Sequence, residues 1–467
     1  MRNIITYVLC FIGFFAISQN KQLLYGFENI PQSLLVNPGS QVDQKMHIGI
    51  PLLSQIHLSG GSSGVSVYDI FGKGNGDINS RILKKIHEME SSDFLTSTVQ
   101  LQLLDFGWRS QNDIYYSGGI YQEMDFVAYF PKDLAILAFE GNKDYIGSNV
   151  NLGEITATGD LNTVYHFGLN KQVNDKFTVG ARLKLYSSML SFRSANNSGN
   201  FITNYGEENI YQHNMQNMNL YLRTAGIVSL EDLNQEERLS RILGRSVFGG
   251  NIGVGMDLGF TYNINPAWKI SASALDIGGV FNYNDVKSYH AHGSYSLDGI
   301  NLLFPILNNG EATFPYYDDI EDEIDQEILI DETLASYFQL RPLKLNASIG
   351  YGFGKYYGYK GCNYLRMADK PSFKHNVGVH LYSIFRPKAP QAAATVFYRR
   401  KFTDNLSAKL TYTADSYSYS NLGFGLSTDL GIVNFYALAD NILSYGNIAK
   451  AKNISLQVGL NIKIDQG

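Results

Sequence analysis

Cysteine is almost missing: the 467-residue chain has two, and one of them, Cys10, lies in a leading apolar stretch. If that stretch is removed, Cys362 stands alone and no internal disulfide can form. Tryptophan is as scarce at two residues, proline numbers 11, and only 17% of the chain is charged. A net charge of −6 gives nucleic acid no electrostatic reason to bind. After residue 18 no apolar run approaches the roughly 20 residues that a membrane helix needs. That excludes helical spans and leaves strands.

What is abundant is Tyr (32), Phe (27) and Gly (45). Tyrosine favours strands and membrane–water boundaries, where one end of the ring is dry and the other wet. Residues 1–18 read as an export signal: Arg2 at the start, an apolar core over 4–15, and small residues in Ala16-Ile17-Ser18. The cut is predicted before Gln19. A single anchoring helix is the competing reading, disfavoured by the shortness of the run.

Near the C-terminus, 454–464 alternates without a break. Ile454, Leu456, Val458, Leu460, Ile462 and Ile464 point one way, and Ser455, Gln457, Gly459, Asn461 and Lys463 point the other. A strand has a side-chain period of two, and roughly 9–11 tilted residues cross a bilayer. The pattern returns over 177–186, 252–260 and 343–353, each time with a wholly apolar face and a second face rich in Gly and charge. Soluble sandwiches also alternate; the completeness and length of the apolar faces favour a barrel.

The expected fold is therefore all-β: a transmembrane antiparallel β-barrel of about 14 strands, with short helices in a leading hatch (19–43) and in external loops. The strands are placed at 44–58, 95–107, 113–129, 160–170, 176–189, 246–263, 267–280, 343–354, 373–384, 392–402, 406–414, 421–428, 431–441 and 454–464. Turn residues near 109–113, 171–175, 264–266, 403–405 and Thr428-Asp429 then all fall on one side, as periplasmic turns should. The long segments 190–245 and 281–342 fall outside. The stretch 355–372 fits poorly, being too long for a periplasmic turn.

Several motifs deserve a chemical reading. Gly60-Gly61-Ser62-Ser63-Gly64 spells the elbow of a serine hydrolase, which needs a strand before it and a helix after it; Val65-Ser66-Val67-Tyr68 reads as strand, so a loop is expected. His290 and His292 share a face at metal-ligand spacing, but they fall in an expected external loop with no carboxylate at a matching step. His166, His375 and His380 are assigned to strand faces or rims. The acidic run from Asp318 to Glu332 lacks the glycine of a calcium loop. Ile320, Ile324 and Ile328 within it suggest an amphipathic helix over the barrel mouth, and its carboxylates can bind divalent cations that bridge lipopolysaccharide. Residues 131–140 read as a second helix, opened by Pro131 and stopped by Gly141. Residues 29–35 are the analogous stretch of the hatch.

Arg182, Lys184, Asp257, Lys344, Lys409 and Lys463 all fall on polar strand faces. Facing lipid, each Arg or Lys costs roughly 2–4 kcal/mol at the midplane, so these residues are expected in the lumen. There they can line a solute path or pair with one another and with a plug, leaving no open pore. No cofactor or metal is expected.

Four pieces of sequence carry a family resemblance. They are Tyr25-Gly26 through Val36-Asn37-Pro38-Gly39; Tyr129-Phe130-Pro131-Lys132-Asp133-Leu134 with Glu140-Gly141-Asn142; Ala274-Leu275-Asp276-Ile277-Gly278; and Arg341-Pro342-Leu343-Lys344-Leu345-Asn346. In this order they resemble an uncharacterised family of outer-membrane barrels of Bacteroidota. More distantly, the Asn37-Pro38-Gly39 start is similar to the Asn-Pro-Ala start of long-chain fatty-acid transporters, with Gly in place of Ala. Barrels that accompany type IX secretion belong to the same distant group. The resemblance implies fourteen strands around a luminal hatch that includes Asn37, Pro38 and Gly39. It also implies an outer-membrane location in a Gram-negative cell, with lipid and lipopolysaccharide as surroundings. The expected function is non-enzymatic: a gated passage for hydrophobic or small solutes, or a plugged scaffold that docks an exported surface protein. An outer-membrane hydrolase is the least favoured alternative.

Overall fold

The structure is a computed structural model that describes residues 21–73, 77–206, 210–247, 250–298, 306–308, 311–313, 323, 326–355 and 373–465. Among these residues fourteen antiparallel strands close into a barrel. The first, β1, comes in two pieces, Gln44–Gly49 and Ile56–Ser62. It is followed by β2 (Phe94–Arg109), β3 (Ile114–Tyr129), β4 (Ala157–Gln172) and β5 (Phe177–Ser194). Then come β6 (Asn251–Asn263), β7 (Trp268–Asn282), β8 in two pieces (Tyr337–Leu340 and Lys344–Lys355) and β9 (Phe373–Ile384). The wall is completed by β10 (Gln391–Lys401), β11 (Leu406–Asp415), β12 (Asn421–Leu430), β13 (Val433–Asp440) and β14 (Asn453–Asp465). Both pieces of β1 pair with β14, Ile48 opposite Ile462 and Ile56 opposite Val458, so no wall edge is left open.

Burial follows the period of two. Leu183 and Val254 are 65% and 66% exposed, while Arg182 and Asp257, on the opposite face of the same two strands, are 2% and 0%. A soluble sandwich would bury the apolar rows; here they face outward, as lipid requires. Toward the end of the barrel that carries the short connections, outward aromatics touch along the wall. Trp108 stacks on Phe106 and on Tyr116, and Trp268 lies 4.9 Å from Tyr351 between ring centroids. These rings make part of an interfacial girdle.

The short connections 110–113, 173–176, 264–267, 402–405 and 431–432 all lie at that end. The last is displaced from its expected place. Leu430 pairs with Val433 across Gly431-Ile432, because Gly431 takes the left-handed φ of +65° that the turn needs, and Thr428-Asp429 continue the strand. The connection 356–372 lies outside the described residues, and so do residues 1–20 with the expected export signal.

Other expectations need correction. The single strand 44–58 is broken, because residues 50–55 leave the ladder and tuck Ser54 against the wall, where its carbonyl accepts from Tyr436 Oη (3.0 Å). Strand β6 begins at Asn251, not 246. Residues 67–68 are helical, not extended: Val67–Phe71 is a helix opened by a reciprocal cap between Ser66 and Asp69. The serine of the Gly-rich motif, Ser62, ends β1 and accepts from the Val65 N–H.

The long connections crowd the opposite end. Helix Lys132–Glu140 follows Pro131 as expected, and Ile78–Glu88 packs beside it. The segments read as loops contain an external sheet in which Val286–Leu297 lies between Tyr211–Ala225 and Ile328–Thr333. His290 and His292 are thus on a strand. Most of the expected helix around Ile320 and Ile324 lies outside the described residues, and its end at Ile328 is strand.

Residues 21–43 run inside the ring. Leu23, Leu24, Tyr25, Phe27, Ile30 and Val36 form an apolar cluster with Tyr436 and Leu438 of β13. Each such side chain contributes about 1.5–3 kcal/mol when fully buried. A short 3₁₀ turn, Pro31–Leu35, is buried throughout.

Candidate functional site

The site is the filled lumen, and its seat is a pair of glycines. Gly180 of β5 and Gly259 of β6 face each other across the ladder, leaving a bare patch of main chain on the inner wall. Asn37, Pro38 and Gly39 rest on it so closely that a Cβ at either wall glycine would overlap their atoms, and one at Gly39 would overlap Gly259. Side chains hold the main chain in place. Asn170 Nδ2 donates to the carbonyls of Pro38 (2.7 Å) and Ser40 (2.8 Å), and Ser273 Oγ donates to that of Val36 (2.6 Å). Asn37 Oδ1 accepts from the Gly39 N–H (2.9 Å), an Asx turn that shapes the bend, and Asn37 Nδ2 donates to the Phe260 carbonyl.

Before the seat, Lys409 of β11 directs its ammonium to the carbonyls of Leu23 (3.1 Å) and Tyr25 (2.6 Å). Glu28 meets Lys269 at 2.6 Å and Arg399 at 3.9 Å. Burial alone would raise the Glu28 carboxyl, but the two facing cations outweigh it and hold it below its ordinary value. Lys463 joins the Asn29 carbonyl (3.2 Å) and Asp429 (2.9 Å). Gln32 exchanges hydrogen bonds with Asn461 and donates to Asp105 (2.9 Å).

Beside the seat stands a buried ion network. Asp257 lies 3.2 Å from Arg182 and 2.9 Å from Lys184; Lys184 also meets Asp276 at 2.6 Å, and Asp276 meets Lys344 at 2.8 Å. Arg182 donates to the Leu34 carbonyl, tying the network to the segment. Asp276 enters through a β-bulge: it has a φ of +62°, and its N–H donates to Asp257 Oδ1 (2.8 Å) where the β6–β7 register shifts. Arg341, at the break in β8, pairs with Glu123 and Asp160, and Arg386 pairs with Asp125. Breaking such a pair strands a buried charge, which costs about 3–5 kcal/mol.

All six charged residues singled out in the sequence thus contact either the segment or a luminal partner. Residues 38–440 match the model of a family of unknown function, DUF5723. The chain belongs to that family. Among curated proteins, none matches it. Solved structures similar to this DUF5723 chain include a Pseudomonas aeruginosa FadL homologue, at 10% identity and a TM-score of 0.44, covering 97% of this chain and 98% of that one. Another is the Pseudomonas putida toluene transporter TodX, at 9% identity and a TM-score of 0.38, covering 96% and 98%. These are likenesses of outline.

Sequence reasoning missed Asp276, Arg341, Glu123, Asp125, Asp160 and Arg386. Two of them sat inside conspicuous pieces, Ala274-Leu275-Asp276-Ile277-Gly278 and Arg341-Pro342-Leu343-Lys344. In the DUF5723 barrel those pieces are the bulge and the break that turn charged side chains inward. Cavities remain among the described residues. One, of about 40 Å³, is lined by Gln22, Thr98, Tyr382 and Arg386 among others. A second, of about 1120 Å³, is lined by Val179, Leu258, Phe260, Ala272 and Ala274 together with Gly180 and Gly259. Val179 and Leu258 belong to the exposed outer rows, so this concavity lies on the lipid side, behind the seat.

Proposed function

We propose that the protein is a non-enzymatic barrel of the outer membrane, reached by way of an export signal, that works as a gated passage for hydrophobic or small solutes. The observation that carries this reading is the glycine seat. Residues 37–39 close the lumen from inside at a place where two facing wall glycines lack side chains and an apolar concavity lies behind them. The segment is fixed by hydrogen bonds, ion pairs and apolar contacts, all of which can be released without breaking a wall strand. As a hatch it would uncover a route that meets glycine and alanine on its way to the lipid.

Liposome swelling with the purified protein tests the reading, using monoaromatic, alkyl and small polar solutes. Faster entry of one class is expected, and entry rises further when the seat is blocked by Gly180→Val. No flux in any class, with either protein, would refute passage.

A second reading, a plugged scaffold for an exported surface protein, is favoured by the ion network beside the seat and by the external sheet. It predicts an unopened lumen and recovery of one exported protein with the barrel from detergent extracts. Loss of that capture on deleting the external sheet would support it.

A further inference from the structure

We propose that His290, His292 and Asp331 form a binding site for one divalent transition-metal ion of the zinc class, clasping strand Ile328–Thr333 to its neighbour in the external sheet. His290 and His292 are two apart on Val286–Leu297 and so project from one face. The register sets Asp331 directly opposite His290 and, from the other side, Asn219 opposite His292. One ligand atom from each of the three residues lies within 4.8 Å of the others. Zinc holds nitrogen and carboxylate oxygen at about 2.0–2.2 Å. Closing the set therefore takes a movement of about 1 Å, within reach of side-chain rotation on an open face.

Independent contacts prepare the first imidazole. The His290 ring lies flat on Tyr221, 4.0 Å away at 7°, and its Nε2 meets Asn219 Oδ1 at 2.7 Å. An amide oxygen accepts only, so this bond makes Nε2 the protonated nitrogen and leaves Nδ1 with its lone pair. Metal-bound histidines are oriented in the same way by an acceptor on the second nitrogen. His292 Nε2 meets Asp331 Oδ2 at 2.9 Å, a pair the metal would replace with two bonds to itself. The opposite face of the sheet is anchored, because Met218 and Ile328 are buried with Leu152 and Tyr295, and Leu220 and Ala291 pack on them. Two imidazoles select zinc, nickel or copper over calcium or magnesium. Three protein ligands leave a fourth position for water, as in open zinc sites.

The test uses the untagged full-length barrel in detergent, stripped with a chelator and titrated with zinc chloride by calorimetry; cobalt(II) absorption reads the geometry. One zinc per chain and the visible bands of tetrahedral cobalt are expected. Asp331→Asn should weaken zinc binding roughly tenfold or more, the double variant His290→Ala with His292→Ala should abolish it, and His87→Ala should leave it unchanged. Retention of the heat-shifted band of a folded barrel in unheated gels qualifies each variant. Absence of stoichiometric zinc in the wild type, or undiminished binding in the double variant, would overturn the proposal. Undiminished binding in Asp331→Asn would remove Asp331 from the site.

Discussion

Replacing Gly180 by valine attacks the closed lumen at one point. The new side chain would occupy the space held by the Pro38 main chain, so the bend at residues 37–39 must lift from the wall. Lifting it breaks the two bonds from Asn170 and the bond from Ser273 to the Val36 carbonyl, each worth about 1 kcal/mol net. Holding the bend in place instead means overpacking, at about 1–3 kcal/mol. Either way docking weakens by up to about 3 kcal/mol, a factor of roughly 150 in the undocked population. Two assays read this. In planar bilayers the wild type should be almost silent and Gly180→Val should show frequent conducting events. In a Cys362→Ser background, a cysteine introduced by Asn37→Cys should resist a bulky maleimide in the wild-type wall and react when Gly180→Val is added. A silent Gly180→Val barrel whose position 37 stays protected would refute the seat as the point of closure.

Removing the charge of Asp257 with Asp257→Asn leaves Arg182 and Lys184 short of a buried partner; urea unfolding in lipid vesicles should show a loss of about 3–5 kcal/mol, and a loss under about 1 kcal/mol would mean that the network is solvated. Lys409→Met removes the donor shared by the Leu23 and Tyr25 carbonyls at roughly 2 kcal/mol, read as more frequent conductance events in the same bilayers. Glu28 predicts a pH response: because its folded carboxyl lies below the ordinary 4.5, its contribution is fully present above that value and is lost as the pH falls below it. Conductance should therefore rise on acidification, and Glu28→Gln should conduct more at neutral pH and lack the acid step; an unchanged acid step would assign it to another group.

The wall was legible because lipid outside and polar groups inside impose one rule on every strand, and a period of two states that rule in the sequence. Strand β9 was read to the residue, and Lys463 through Ile454 announced the orientation of β14. What escaped was whatever breaks the period. The gap in β1 at 50–55 follows from Ser54 meeting Tyr436, a partner more than 380 positions away. The bulge at Asp276 turns a carboxylate inward from a position that simple alternation assigns elsewhere. Capping at Ser66 converts a stretch with strand composition into a helix, since a local hydrogen bond outweighs the weak preference of Val65 and Val67. Gly180 and Gly259 looked like ordinary members of a glycine-rich face; only the register that places them opposite each other makes them a seat. Asp331 illustrates the same limit, because its nearness to His290 comes from strand pairing across 41 positions.

The meeting of β1 with β14 has a bearing on biogenesis. The seam joins the first wall strand to the last, so the cylinder cannot be sealed until both are in place. A wall not yet sealed would be an open trough, into which the residues ahead of β1 could be laid sideways, without being threaded through a finished hoop. Sealing the seam then confines cargo already loaded.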